Sequence, residues 1–266
     1  MSIILITGAT DGIGLEAAQQ LAKQGHELVL HGRSEAKAAR ARDAVLEKSP
    51  AAKIHITHAD LADLAEVVRM ADSLNTLLPR LDVLLNNAGV YMTERKLSRD
   101  GFEMTLAVNH LAHFLLTALL LPLLKKSAES RVVTVSSVAH MGGHIAFDNL
   151  NSERHFDSYD AYCNSKLANA LFAAELARRE PRLSSNFLHP GVVDTKLLHA
   201  GFDMTGASVR AGAKTSVYLA TSPEVKGISG KYFDDCKITS PLAAVNDTRL
   251  SQQLWQWSEH AIGNVL

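Results

Sequence analysis

The run Thr7-Gly8-Ala9-Thr10-Asp11-Gly12-Ile13-Gly14 constrains this chain more than any other stretch. It follows directly on the apolar, β-branched residues Ile3 to Thr7, which read as a buried strand. It leads into the helical pattern Leu15, Ala18, Leu21, Ala22. Strand, glycine turn and helix in that order make a turn tight enough for close backbone approach. The unpaired N–H groups of the helix start then face an anion such as a pyrophosphate. A glycine-rich connection with no ligand is the plain alternative.

The same order repeats down the chain. Glu27 to His31 reads as a second strand, Glu35 to Glu47 as a charged, alanine-rich helix, and Lys53 to His58 as a third strand. Leu81 to Leu85, Arg131 to Val135 and Ser185 to Leu188 read as further strands. Long helical patterns fill Leu61 to Leu77, Gly101 to Lys126 and Asp160 to Arg179. Strand–helix alternation predicts an α/β fold of the Rossmann type, a doubly wound parallel sheet with helices on both faces. The chain has 266 residues and shows no repeat, linker or break in composition, so a single domain is expected over 1–266.

Residues that could touch a ligand gather at the predicted strand ends. After the second strand comes His31-Gly32-Arg33-Ser34. A carboxylate there would accept from a ribose 2′-hydroxyl, and an arginine would pair with a 2′-phosphate. The strand end holds no acid and Arg33 lies just beyond it, which favours NADP(H) over NAD(H). Asp60-Leu61 follows the third strand; Asp60 could meet an adenine amino group or cap the next helix. Asn86-Asn87-Ala88-Gly89 ends the fourth, with small residues that permit close approach. Asn109 sits inside a long helical pattern, where its side chain competes for backbone hydrogen bonds and marks an irregularity. Ser137 closes the Arg131 strand.

Among the tyrosines only Tyr162 has a lysine four residues on, Lys166. On a helix that spacing sets the two on one face. The nearby ammonium is expected to pull the phenol pKa down from about 10.

Bulk properties limit the alternatives. Net charge is -1, which gives no electrostatic case for nucleic acid or an anionic membrane. Cys163 and Cys236 have no metal or disulfide spacing, and the twelve histidines show no HExxH or other paired ligand pattern, so no metal is expected. No basic leader precedes the first strand. The most apolar stretch, Phe114 to Leu124, looks too short to cross a bilayer and contains Pro122. A cytoplasmic protein without a membrane anchor is expected.

Taken together, these parts resemble the short-chain dehydrogenase/reductase family. The resemblance runs from Thr7 to about Tyr232 and rests on Thr7-Gly8-x-x-x-Gly12-Ile13-Gly14, Asp60-Leu61, Asn86-Asn87-Ala88-Gly89, Asn109, Ser137, Tyr162-x-x-x-Lys166, and Pro190-Gly191 with Thr195. Val135-Ser136-Ser137-Val138-Ala139-His140, Ala161 to Asn169 and His189 to Val193 are similar to the retinol dehydrogenase-like branch. The gap from Ser137 to Tyr162 (162 − 137 = 25 positions) is long for the family. The branch often carries a hydrophobic anchor before its first strand, whereas this sequence starts on the strand.

The resemblance implies a dinucleotide-binding half in 1–90 and a catalytic and substrate half in 91–266. It implies NADP(H) held by Gly8, Asp11, Gly12, Ile13, Gly14, Arg33, Asp60, Leu61, Asn87, Ala88, Gly89, Tyr162, Lys166, Val193 and Thr195, the last two near the nicotinamide amide. It implies a catalytic set of Asn109, Ser137, Tyr162 and Lys166. Tyr162 would exchange a proton with the substrate oxygen, Ser137 would hydrogen-bond that oxygen, Lys166 would bind the nicotinamide ribose, and Asn109 would hold a water linking Lys166 to solvent. The expected reaction is hydride transfer between nicotinamide and an apolar carbonyl or alcohol. A catalytically silent NADP(H)-binding regulatory module and a retinal-specific reductase are the alternatives. A lid over Leu197 to Ser208 and a wall from His140 to Asp160 would frame the substrate. The helices Gly101 to Lys126 and Asp160 to Arg179 offer a four-helix interface for a homodimer or homotetramer.

Overall fold

The computed structural model describes residues 1–263. The strands are β1 (Ile3–Ile6), β2 (Glu27–Gly32), β3 (Ile54–His58), β4 (Val83–Asn86), β5 (Arg131–Val135), β6 (Ser184–His189), β7 (Tyr232–Asp234) and β8 (Lys237–Thr239). They form one eight-stranded sheet in the order β3-β2-β1-β4-β5-β6-β7-β8. All neighbours are parallel except β7 and β8. Chain order reverses direction between β1 and β4, and that switch point opens a crevice at the carboxyl ends of the strands.

Helices α1 (Gly12–Lys23), α2 (Glu35–Lys48), α3 (Leu64–Leu77), α4 (Met104–Leu106), α5 (Ala112–Leu124), α6 (Ser158–Arg179), α7 (Lys196–Gly201), α8 (Val209–Thr221) and α9 (Thr248–Ile262) complete the fold. The strand period of two divides their side chains between two cores. Ile3 and Leu5 face α3, α5 and α6, whereas Ile4 and Ile6 face α1, α2 and α8. Because both faces are covered, β1 is apolar throughout and buried at every position.

Three expectations change. First, the long helix starts at Met104, where the Glu103 carboxylate accepts from the N–H groups of Thr105 and Leu106, both at 2.8 Å. Between α4 and α5 the chain widens into a π turn, Ala107–Leu111, with Asn109 inside it. The continuous helix Met104–Leu124 has 21 residues, enough length and apolar character to cross a membrane; it is mostly buried inside this protein. The expectation of a stretch too short to span counted only its apolar half.

Second, α3 begins at Leu64 and not Leu61. Asp63 is its cap, accepting from the Glu66 N–H at 3.2 Å. Asp60 instead accepts from the Ala62 N–H at 3.0 Å, leaving Leu61 in the turn between strand and helix.

Third, α9 of this chain covers α6 and part of α5, the helix pair expected to meet a second subunit. From Ala161 to Leu176 every residue of α6 except Asn164 is buried. Helix α9 lies on α6 and α5, with Trp255 stacked on Phe172 at 5.9 Å and edge-on to Phe114 at 4.8 Å. The Arg179 guanidinium sits 4.5 Å above the Trp255 ring, and His110 and Ser258 share a hydrogen bond of 2.8 Å.

Candidate active site

A cleft of about 870 Å³ occupies the crevice over the carboxyl ends of the strands. All the cofactor residues expected from the sequence line it, together with Ser137, Tyr162 and Lys166. Asn109 lies just behind, its Oδ1 and the Lys166 Nζ both 3.5 Å from where a Gly89 Cβ would stand.

The glycine turn forms the floor, and its glycines are needed for space as well as conformation. Gly8 has φ +63°, and a Cβ there would lie 2.9 Å from the Ala88 Cα. A Cβ on Gly14 would run into the Gly8 carbonyl oxygen and come within 2.5 Å of Asn87 Nδ2. Asn87 ties the floor together, donating from Nδ2 to the Thr7 carbonyl at 2.8 Å. The Thr7 hydroxyl accepts from the N–H groups of Asn87 (2.9 Å) and Ala88 (3.0 Å). His31 Nδ1 accepts from the Gly8 N–H at 3.1 Å while Nε2–H donates to the Ala59 carbonyl at 3.0 Å. Burial pushes the His31 pKa down to about 4, which keeps the ring in the neutral form this bridge requires.

The Asp11 side chain caps α1, accepting from the Gly12 N–H at 2.8 Å, and pairs with Lys196 across the mouth of the cleft. The Lys196 contact holds its carboxyl below the usual range. Thr195 caps α7 and faces Gly12. At the end of β2 a Cβ on Gly32 would meet the Thr10 side chain at Cγ2 (2.6 Å) and the Ala38 backbone N at 3.1 Å, so any side chain there would be crowded. Arg33, the next residue, is exposed on the cleft wall.

Tyr162 and Lys166 sit one turn apart on α6, 7% and 2% exposed. Lys166 Nζ donates to the Val135 carbonyl at 3.2 Å and lies 5.6 Å from the centre of the Tyr162 ring. The expected lowering of the tyrosine pKa is not what burial produces. Loss of solvent raises Tyr162 to about 12, against the opposing pull of Ser137, and lowers Lys166 to about 8. The phenol is therefore held protonated. Ser137 Oγ accepts from the Ala139 N–H at 3.2 Å, the local contact a strand-end serine is prone to make, and its own O–H remains a donor at the cleft.

Asn109 commits its amide to protein partners. Oδ1 accepts from the Val90 N–H at 2.8 Å, and Nδ2 donates to the Val90 carbonyl and to Ser165 Oγ, both at 3.0 Å. Its backbone carbonyl accepts from His113 Nδ1–H at 3.0 Å.

Opposite the glycine floor the wall is aromatic and rich in methionine. Tyr159, Tyr162 and Phe202 line it, with Tyr159 6.0 Å from Phe202, and the Tyr91 ring packs against this wall, 5.4 Å from Tyr162 and 5.3 Å from Phe202. Met92, Met104, Met141 and Met204 add to the lining. Phe202 and Met204 belong to the expected lid, whose first turn is α7. Tyr91, Thr7, His31 and His189 also build or line the site without having been assigned a part in it from sequence, whereas Tyr159 belongs to the expected wall from His140 to Asp160. Tyr91 carried a weak signal, two residues beyond the Asn-Asn-Ala-Gly turn. Among the described residues no group of three or more His, Cys, Asp or Glu side chains could hold a metal ion.

Comparison with known proteins places this geometry. A family model described as short chain dehydrogenase matches residues 2–205. Human retinol dehydrogenase 14 is 40% identical, covering 98% of this chain and 86% of that protein. A crystal structure of a protein from Mycobacterium paratuberculosis superposes with a TM-score of 0.81 at 33% identity, covering 99% of this chain and 94% of the other. A short chain dehydrogenase from Escherichia coli CFT073, solved in complex with NADPH, has a TM-score of 0.73 at 27% identity, covering 89% and 97%.

Proposed function

This chain belongs to the short-chain dehydrogenase family and is an oxidoreductase of CH–OH and C=O groups; within that family we propose that it uses NADP(H) and acts on an apolar aldehyde or ketone, or the matching alcohol. One observation carries the reading. A buried, protonated tyrosine, a buried lysine and a strand-end serine line the same cleft as a glycine cradle too tight for side chains.

The cradle fits a dinucleotide. The first N–H groups of α1 and the Gly8 to Gly14 backbone offer donors to a pyrophosphate. Arg33, beside a strand end where Gly32 supplies no acid, suits a 2′-phosphate. Asp60 and Leu61 would flank the adenine, Asn87 to Gly89 the ribose side, and Val193 and Thr195 the nicotinamide amide. Asp11 and Ile13 would serve mainly by shaping the turn. The E. coli relative solved with NADPH supports the same choice of cofactor. The nicotinamide, when bound, supplies or accepts the hydride.

The chain's own groups handle the proton and the oxygen. In reduction the Tyr162 O–H donates to the carbonyl oxygen as charge develops there, and Ser137 O–H donates to the same atom. The Lys166 ammonium steadies the phenolate left behind and donates to the ribose. Asn109 widens the helix beside Lys166. Its backbone carbonyl accepts from His113 on one lone pair, and the other can hold the water that returns a proton from solvent. The aromatic and methionine wall excludes water and suits an apolar substrate. The relative named retinol dehydrogenase 14 favours a retinoid as a second reading.

The reading takes 1–266 as one domain, checked by a single cooperative unfolding transition, and places it in the cytoplasm, checked by fractionation. The main test is loss of NADPH absorbance with a panel of aliphatic ketones, aromatic aldehydes and retinal, repeated with NADH. Turnover with NADPH in preference to NADH is expected. Tight NADPH binding with no turnover across the panel would show a silent binding module, and preference for NADH would refute the cofactor assignment.

A further inference from the structure

The Ser137–Val138 peptide unit is held at both of its polar ends by histidines that the mechanism above does not use. Its carbonyl accepts from the His140 N–H at 3.1 Å and from His140 Nδ1–H at 2.6 Å. Its N–H donates to His189 Nδ1 at 3.1 Å. His140 is buried, its ring edge-on to Tyr232 at 4.8 Å, and its Nε2 accepts from the Leu242 N–H at 3.3 Å. These contacts fix its tautomer with the proton on Nδ1. His189 ends β6, lines the cleft and carries its proton on Nε2.

Val138 itself is 48% exposed, whereas Ser136, Ala139 and His140 beside it are buried, so the Ser137–Val138 peptide is the least packed point of this segment. The preceding anchor is the Ser136 N–H, which donates to the Leu188 carbonyl at 2.9 Å. A peptide plane turns as a unit, so pinning its oxygen and its hydrogen together fixes the backbone on both sides. We propose that His140 and His189 are positioning residues that clamp the Ser137–Val138 peptide and so aim the Ser137 hydroxyl at the substrate oxygen. The role of that hydroxyl rests on the function proposed above; the clamp itself does not. Small losses of aim cost much in rate, because the donor must meet the oxygen where charge develops.

The two ends differ in their response to acid. A protonated His189 would present N–H to N–H and release Val138. Burial lowers the His189 pKa below the ordinary imidazole value; Asp234 on β7 pulls it up and His140 pulls it down. His189→Asn keeps an acceptor near the place of Nδ1 and cannot titrate, whereas His189→Leu removes the acceptor.

The experiment combines amide exchange of Val138, NADPH affinity, and kcat against pH for wild type, His189→Leu, His189→Asn and His140→Phe. His189→Leu should lower kcat about tenfold, the worth of one lost hydrogen bond, and leave NADPH affinity within about twofold. It should also speed Val138 exchange. His189→Asn should recover most of kcat, keep Val138 protected and lose the acid limb that His189 imposes. Equal rates for the Leu and Asn variants, or Val138 exchange unchanged in His189→Leu, would overturn the proposal. If the wild type reduces no carbonyl, the functional reading fails, and Val138 exchange still decides the clamp.

Discussion

The Lys166 ammonium lies 5.6 Å from the centre of the Tyr162 ring, and both side chains are almost wholly buried. Burial dominates the titration of each. It raises the phenol to about 12 and brings the ammonium down to about 8. The phenol is thus held protonated beside a cation that titrates near pH 8.

That cation should make cofactor affinity pH-dependent. Lys166 is charged below about 8 and loses its proton as pH rises through that value. NADPH affinity should weaken above about pH 8 and level off once the lysine is neutral. Calorimetric titration across the range checks this, and Lys166→Met should remove the dependence.

Acid should destabilise the fold through three buried histidines. Burial depresses His31 and His113 to about 4 and His110 to about 3. The unfolded chain takes up their protons near 6.5 while the folded chain does not, so their stabilisation is complete above that pH and declines below it. The decline should be roughly 1.4 kcal/mol per pH unit for each histidine until the folded pKa is reached. Urea unfolding at about pH 7.5, 6 and 5 measures it; equal midpoints would contradict the account.

The floor of the cleft should tolerate no methyl group at Gly14. The added Cβ would overlap the Gly8 carbonyl and crowd Asn87 Nδ2, both parts of the cradle. Gly14→Ala should cost about 1–3 kcal/mol in stability, as overpacking does, and abolish measurable NADPH binding. Thermal melts with and without NADPH report both effects.

The protein should not dimerise through α5 and α6. Trp255, Arg179 and His110 fasten α9 over the face such an interface would use. Hydrogen exchange of the purified chain should show no concentration-dependent protection of the α5 and α6 surface. A stable dimer whose exchange-protected surface includes α5 and α6 would contradict this.

Much of this was legible in the residues. The core strands read correctly to within a residue or two because strands covered on both faces are continuous apolar runs. Asn109 announced its irregularity by being a poor mid-helix residue, and the π turn stands there. What escaped depends on contacts between distant segments. The sequence offered Asp60 as a cap; Asp63 takes that place because its carboxylate meets the Glu66 N–H. The 162–166 spacing reveals a nearby charge but not the desolvation that outweighs it. The Trp255 cover on α6 and the Tyr91 wall come from elements far along the chain.

The central claim is that Tyr162 is the proton donor of an NADP(H)-dependent carbonyl reaction. Its most direct test is steady-state NADPH oxidation by wild type and Tyr162→Phe on the best carbonyl of the panel, with NADPH affinity measured on both. Removing only the hydroxyl leaves the ring to pack against Tyr91. The account predicts turnover lowered by at least about a hundredfold, the scale of general acid catalysis, with NADPH affinity nearly unchanged. Turnover retained in Tyr162→Phe would contradict it.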